Sequence, residues 1–300
     1  MIDIVSKRRY AYAFSLVITA AAILSVATWG LKFGIDFSGG TLMEVRFPSG
    51  VPQNTEISEV LQGENLQSLT IQASGDGSAL LRYASEDDAV NEKAWQAISA
   101  KWTDAVRLRV DFINSTVSGE LKRNSLLAIF WAVAAIMAYI AWAFRKVSRP
   151  VPSWQYGALA VVALVHDILI TVGAFAALGH FYSVEVGIPF VAALLTILGF
   201  SVHDTIVVYD RTRENLLRSP EKTFAATVNR SLNETIVRSI NTSLTVIITL
   251  LAIYLFGGES IRDFSLALLI GITFGTYSSI FIASSLLVTS RDWMAKKHNK

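Results

Sequence analysis

The residues best suited to chemistry in this sequence lie inside its apolar runs. His203 and Asp204 fall in GFSVHDTIVVYDRTREN (Gly199–Asn215), where a long apolar run passes into dense charge with Ile206, Val207 and Val208 still to come. His166 and Asp167 hold a similar place in LVHDILITVG. A carboxyl at membrane depth costs about 2.5–3.5 kcal/mol on insertion scales and as a rule marks a pathway or relay. For the two histidines the expected role is structural, a hydrogen bond to a carbonyl or a neighbouring helix end. Asp204 is the sharper candidate. Arg238 opens a later apolar stretch at comparable depth, and Asn241, Thr242, Thr245 and Thr249 recur every three or four positions on the face that carries it. A polar stripe is wasteful against lipid, so this one is expected to face protein or water. A carboxylate and a guanidinium brought together there can exchange partners as the carboxylate takes up and releases a proton.

The elements that must position these groups are membrane spans. Of the 300 residues 52% are apolar and 17% charged, the mean hydropathy is +0.45, and the apolar residues are clustered rather than spread as in one soluble core. Six stretches reach the length needed to cross a bilayer: Tyr10–Trp29, Leu126–Phe144, Trp154–Leu178, Val186–Tyr209, Arg238–Phe256 and Phe264–Val288. Lys7, Arg8, Arg9, Arg145, Lys146, Arg149, the basic residues from Arg211 to Arg230, and Arg291 to Lys300 lie at alternate ends. The positive-inside rule then predicts both termini in the cytoplasm. The first stretch exceeds a signal-peptide core, so it is read as an uncleaved anchor. Gly271, Gly275, Ser279 and Ala283 form a series of small residues suited to close helix packing. The segment Arg211–Arg230 is expected to be a solvated amphipathic loop. The domain plan is 1–33 for the N-terminus and first span, 34–123 for an exported domain, 124–290 for the remaining spans and 291–300 for a cytoplasmic tail.

The insert reads as βαββαβ. Strands are predicted at Thr41–Phe47, Leu66–Ala73, Ala79–Tyr83 and Ala105–Ile113, with helices at Thr55–Leu61 and Asp87–Trp102 and a turn at Gly75-Asp76-Gly77. This order suggests a ferredoxin-like α+β sandwich. In the last strand Val106, Leu108, Val110 and Phe112 alternate with polar residues and are expected to be its buried face. The insert has no histidine and the chain no cysteine, which removes a Ser-His-Asp triad there and thiol chemistry everywhere. No metal site, cofactor or enzymatic constellation is expected, and no nucleic-acid partner. The junction Gly34-Ile35-Asp36-Phe37-Ser38-Gly39-Gly40 leads into a strand and lacks the Gly-Lys-Ser/Thr ending of a phosphate loop. It is a linker or a functional hinge.

Five stretches together carry a family resemblance: DIVSKRRYAYAFS, GIDFSGGT after the first span, GFSVHDTIVVYDRTREN, NRSLNETIVRSINTS, and YLFGG followed by FSLALLIGITFGTYSSIFIAS. With these the chain resembles the SecD/SecF family of bacterial protein-translocase subunits, in the resistance-nodulation-division superfamily, over nearly its whole length. The resemblance implies a multi-pass protein of the bacterial inner membrane that pairs with SecD and assists the SecYEG channel, with a YajC-like accessory subunit, in moving unfolded preprotein outward. It implies protons as the coupling ion, with Asp204 and Arg238 as the functional pair. No proton role carries over to His203, and the junction through Gly39 and Gly40 becomes a structured one. The alternatives are a proton-driven exporter of small molecules or lipids on half of the same plan, and a purely structural scaffold of a membrane complex.

Overall fold

The structure is a computed structural model that describes residues 2–64, 66–74, 77–85, 87–145 and 151–298. Gly75, Asp76, Lys146, Arg149 and Lys300, used in the sequence reading, lie outside them. In chain order the elements are α1 (Arg8–Trp29), α2 (Ile35–Ser38), β1 (Gly40–Arg46), α3 (Asn54–Leu61), β2 (Gln67–Ser74), β3 (Ser78–Ala84), α4 (Asp88–Lys101), β4 (Val106–Ile113), α5 (Ser115–Ala143), α6 (Ser153–Tyr182), α7 (Ile188–Arg218), α8 (Phe224–Phe256), α9 (Glu259–Ser278), a π-helical turn (Ser279–Ala283) and α10 (Ser284–His298). They form two compact units, residues 1–32 with 127–300, and residues 33–126.

The smaller unit is a four-stranded antiparallel sheet in the order β2-β3-β1-β4, the ferredoxin-like arrangement. Met43, Val45, Ile57, Leu61, Leu81, Ala94 and Ile98 make its core, where the sheet meets α3 and α4. Asp87 caps α4 by accepting from Ala89 N. The expectation for β4 fails in an instructive way. The register of β4 against β1 shifts between Glu44 and Val45, a bulge that inverts the alternation. Val110 packs on the core, whereas Leu108, the extra residue of the bulge, and Val106 beyond it are exposed; Phe112, on the same side of the bulge as Val110, is exposed towards the end of this edge strand.

Among the described residues six helices are long and apolar enough to cross a membrane. The most apolar windows of α6, α7 and α9–α10 are 50%, 50% and 56% buried within the chain, against 11%, 6% and 17% for α1, α5 and α8. Three helices therefore form an inner layer, and three present apolar faces outward. Close approach follows the small residues: Gly173 of α6 meets Ala22 of α1, and Gly157 of α6 meets the Met137 carbonyl of α5. The N-terminal segment is strapped to α8 by two asparagines one turn apart. Asn233 Oδ1 accepts from Ile2 N at 2.7 Å, and Asn229 Oδ1 from Ile4 N at 2.9 Å.

Several spans run past their expected ends. The α5 helix begins at Ser115, where Asn114 Oδ1 accepts from Thr116 N at 2.8 Å, so the stretch Thr116–Leu121 is helical. The charged segment 211–230 is not a loop. Helix α7 continues to Arg218, α8 starts at Phe224 with Thr223 as its N-cap, and only residues 219–223 turn. Salt bridges explain the order. Glu234 of α8 accepts from Arg211 Nε at 2.6 Å, Asn215 Nδ2 at 2.8 Å and Arg230 Nε at 2.9 Å, joining the two helix ends.

Candidate functional site

Two carboxyls are buried in the helical unit, and neither forms an ion pair with a lysine or arginine among the described residues. Asp167, in the middle of α6, is fully buried. Its Oδ1 lies 2.9 Å from His166 Nδ1, while Oδ2 accepts from Ser201 Oγ of α7 at 2.6 Å and from Ser278 Oγ of α9 at 2.7 Å. One side chain thereby ties together the three inner helices. Three hydrogen bonds converge on this buried carboxyl, and such bonds are roughly twice as strong when the acceptor is ionised.

Asp204 lies one turn beyond Ser201 on α7 and is 3% exposed. It faces α8 through hydroxyls. Ser243 Oγ donates to Asp204 Oδ2 at a long 3.5 Å, and Thr276 Oγ1 of α9 lies 2.6 Å from Ser243 Oγ as its donor. The buried Ser239 hydroxyl is close enough to act on the Asp204 charge but makes no hydrogen bond of regular geometry.

What holds α7 against α9 is a ladder with a period of four. Gly271 sits under Ile197 and Gly275 under Ser201. Ser279 Oγ meets Thr205 Oγ1 at 2.8 Å, and the Ala283 carbonyl accepts from Tyr209 at 3.2 Å. Both numbers rise together, so the two helices run parallel and in register. The π-helical turn falls on the last two rungs, and Ser279 Oγ also reaches the Ser201 carbonyl at 3.1 Å. Such turns are rare and concentrate at functional sites.

Arg238 and the stripe of Asn241, Thr242, Thr245 and Thr249 face outward, exposed on this chain, with Thr245 and Thr249 bonded back to their own helix. The structure therefore brings no Arg238 ion pair to Asp204. The groups that meet Asp204 belong to a neighbouring row, Ser231, Thr235, Ser239 and Ser243, all buried. Their strict spacing of four was a signal present in the sequence and passed over in favour of the stripe with the charge. His203 is exposed, and the hydrogen bond expected of it is not formed among the described residues. His166 bonds the neighbouring carboxylate instead of a carbonyl or helix end. Among the described residues no three His, Cys, Asp or Glu side chains converge as a metal site.

At the junction, Gly34 is the N-cap of the single-turn α2, which carries Asp36. Gly39 and Gly40 have φ of 74° and 108°, values that disfavour a side chain. A Cβ on Gly40 would also lie 2.6 Å from the Tyr83 carbonyl of β3. These glycines let the chain leave α2 and enter the sheet directly beside β3, so the segment is a built corner.

Residues 93–293 match the family model described as protein export membrane protein SecD/SecF, C-terminal, and residues 25–47 match that of the SecD/SecF GG motif. The chain is 44% identical to the protein translocase subunit SecF of Thermobaculum terrenum, covering 96% of this chain and 94% of that one. It is 37% identical to the SecF of Anaerolinea thermophila over 98% of this chain and 96% of the relative. Its structure resembles crystallised SecDF of Thermus thermophilus, a translocon-associated membrane protein, with a TM-score of 0.85 and 32% identity over 97% of this chain. The super-membrane-facing form of SecDF gives a TM-score of 0.70 at 31% identity. The chain spans 39% and 40% of those two longer chains.

Proposed function

The chain belongs to the SecD/SecF family of protein export membrane proteins, and we propose that within it the molecule is a non-enzymatic subunit that spends the proton gradient on the later steps of export. It would sit in the bacterial inner membrane with both termini in the cytoplasm and residues 34–123 outside. SecD, the SecYEG channel and a YajC-like accessory subunit are its proposed companions, and unfolded preprotein in transit is its cargo.

The observation that carries this reading is Asp204: a buried carboxyl within a membrane helix, met by serine hydroxyls and by no lysine or arginine ion pair among the described residues. The cost of an uncompensated charge there is relieved by a proton or by an approaching guanidinium. Arg238 begins the outward face of α8, one residue before Ser239, so a rotation or slide of α8 exchanges serine for arginine at the carboxyl. Proton uptake releases the arginine, proton loss draws it in, and α8 moves with the cycle. The exposed stripe below Arg238 is the face proposed to meet SecD.

The test is proton-gradient-driven preprotein import into inverted vesicles holding the reconstituted complex. Asp204→Asn is expected to assemble and to lose the gradient-stimulated fraction while the ATP-driven part persists. Full stimulation in that variant overturns the reading.

A further inference from the structure

Asp167 and His166 play no part in the cycle just described, yet both are buried in the helical unit. Asp167 is 0% exposed and His166 is 8% exposed. The 2.9 Å contact uses His166 Nδ1, which leaves Nε2 as the free end of the ring. That nitrogen is buried and has no hydrogen-bond partner among the described residues. A buried nitrogen of this kind is an uncompensated cost unless it has a use. The pair also has the geometry of a relay, with a carboxylate orienting an imidazole whose far nitrogen remains available.

We propose that His166–Asp167 is a second proton-accepting station, and that its protonation state sets how tightly α6 holds α7 and α9. The step balances within the pair. With Asp167 ionised, His166 is neutral and donates Nδ1–H to Oδ1. A proton arriving at Nε2 is matched by passage of the Nδ1 proton to Oδ1. The result is a neutral carboxyl, the other imidazole tautomer, and one positive charge more on the pair. The bond between Nδ1 and Oδ1 is made in both states, so no side chain has to move.

What changes is the grip on Oδ2. Ser201 at 2.6 Å and Ser278 at 2.7 Å donate to a full carboxylate in one state and to a neutral acid in the other, and the charge-assisted form is the stronger. Ser201 is on the turn before Asp204, and Ser278 precedes Ser279, which bonds Thr205. Loosening these two bonds frees the segment of α7 that carries Asp204. The inference therefore rests on the proposed proton role of Asp204 and adds a second site to it.

The surroundings leave the pair few competitors. From α9, Tyr277 is the titratable group against it, with ring centroids 6.4 Å apart from His166. From α1, Ser15 donates to Tyr277 at 3.3 Å, and Tyr12 is engaged with Thr289 of α10 at 2.9 Å. From α7 the pair meets Ser201, while Asp204 on that helix faces α8. No Lys, Arg, Asp or Glu of α1, α5, α7, α9 or α10 forms an ion pair with either residue among the described residues. A groove of about 290 Å³ is lined by Asp3, Lys7, Phe14 and Tyr277, the last of which packs against His166.

The experiment uses the full chain with its SecD partner in lipid vesicles, followed by infrared difference spectroscopy on a pH step and by gradient-stimulated export. The expected result is a protonated-carboxyl band that disappears in Asp167→Asn and whose midpoint pH shifts in His166→Gln. Asp167→Asn retains acceptors for both serines, and it is expected to assemble while losing gradient stimulation. A band unaffected by both variants, or full stimulation with an unchanged pH profile in Asp167→Asn, reduces the cluster to a structural tie and overturns the inference. If Asp204→Asn loses stimulation in the same assay while Asp167→Asn keeps it, the proposed function stands and only the second station falls. If Asp204→Asn keeps full stimulation, the proposed function fails, and the infrared band decides the pair alone.

Discussion

Gly275 of α9 is packed against Ser201 of α7 so closely that a Cβ on the glycine would stand 2.9 Å from the serine Cβ. Ser201 is the residue that reaches Asp167, so helix packing and the polar cluster share one contact. Gly275→Leu is expected to cost about 1–3 kcal/mol by overpacking and to lower the melting temperature of the purified chain in detergent. Gly199, on the same helix α7, has nothing within 4 Å of an added Cβ. Gly199→Ala is expected to raise stability by about 0.5–1 kcal/mol, a change of opposite sign in the same melting experiment.

Ser201 and Ser278 donate to one oxygen of one carboxylate, so their energies are coupled. Each alanine substitution is expected to cost about 1–3 kcal/mol because it leaves buried charge less satisfied. The double variant should depart from the sum of the two, since they share Asp167. Denaturation of the four chains of that cycle in matched detergent checks both statements.

Gly40 tests the corner. Its φ of 108° and its approach to Tyr83 act together, whereas Gly50, with a φ of 109°, has open space around it. Gly40→Ala is expected to destabilise residues 33–126 by more than Gly50→Ala, whose cost is backbone strain alone at about 1–3 kcal/mol. Faster amide exchange in β1 and β3 of the full chain, and not in α6 or α7, is the readout.

Tyr83 gives the smaller unit a pH limit. Its phenol is buried and donates to Asn91 Oδ1 at 2.9 Å, and burial pushes its pKa from 10.0 to about 12. Below pH 10 the phenol is neutral in both folded and unfolded chains, and the stabilisation is complete. Above it the unfolded chain releases the proton while the folded one holds it, so stability falls as pH rises toward about 12. Amide exchange of β3 and α4 measured across that window should accelerate, and Tyr83→Phe should flatten the pH dependence while weakening the unit at neutral pH, where Asn91 loses a donor.

Much of this was legible before folding because it depends on local periodicity. Six apolar stretches of bilayer length, the βαββαβ order and the glycine pair at the sheet entrance are each properties of contiguous residues. So was the series Gly271, Gly275, Ser279, Ala283, which marked a packing face. The partner of that face was not legible, because nothing local to α9 says that Ile197, Ser201, Thr205 and Tyr209 will meet it rung for rung. The bulge in β4 was hidden for a related reason. The inversion at Glu44 and Val45 belongs to a pairing of two strands, and the strand read by itself alternates regularly.

The sequence by itself determined that Asp204 and Asp167 would be carboxyls in membrane-spanning helices, since apolar length and residue type suffice for that. Only the tertiary structure decided what each one meets. Charge drew attention to Arg238, but a helix of 3.6 residues per turn puts Arg238 and Ser239 on different faces, and the packing of α8 on α7 turned the serines inward. The same packing made Asp167, which sequence reasoning ranked behind Asp204, the residue that bonds three helices at once, because a buried carboxyl must gather its donors from whichever helices surround it.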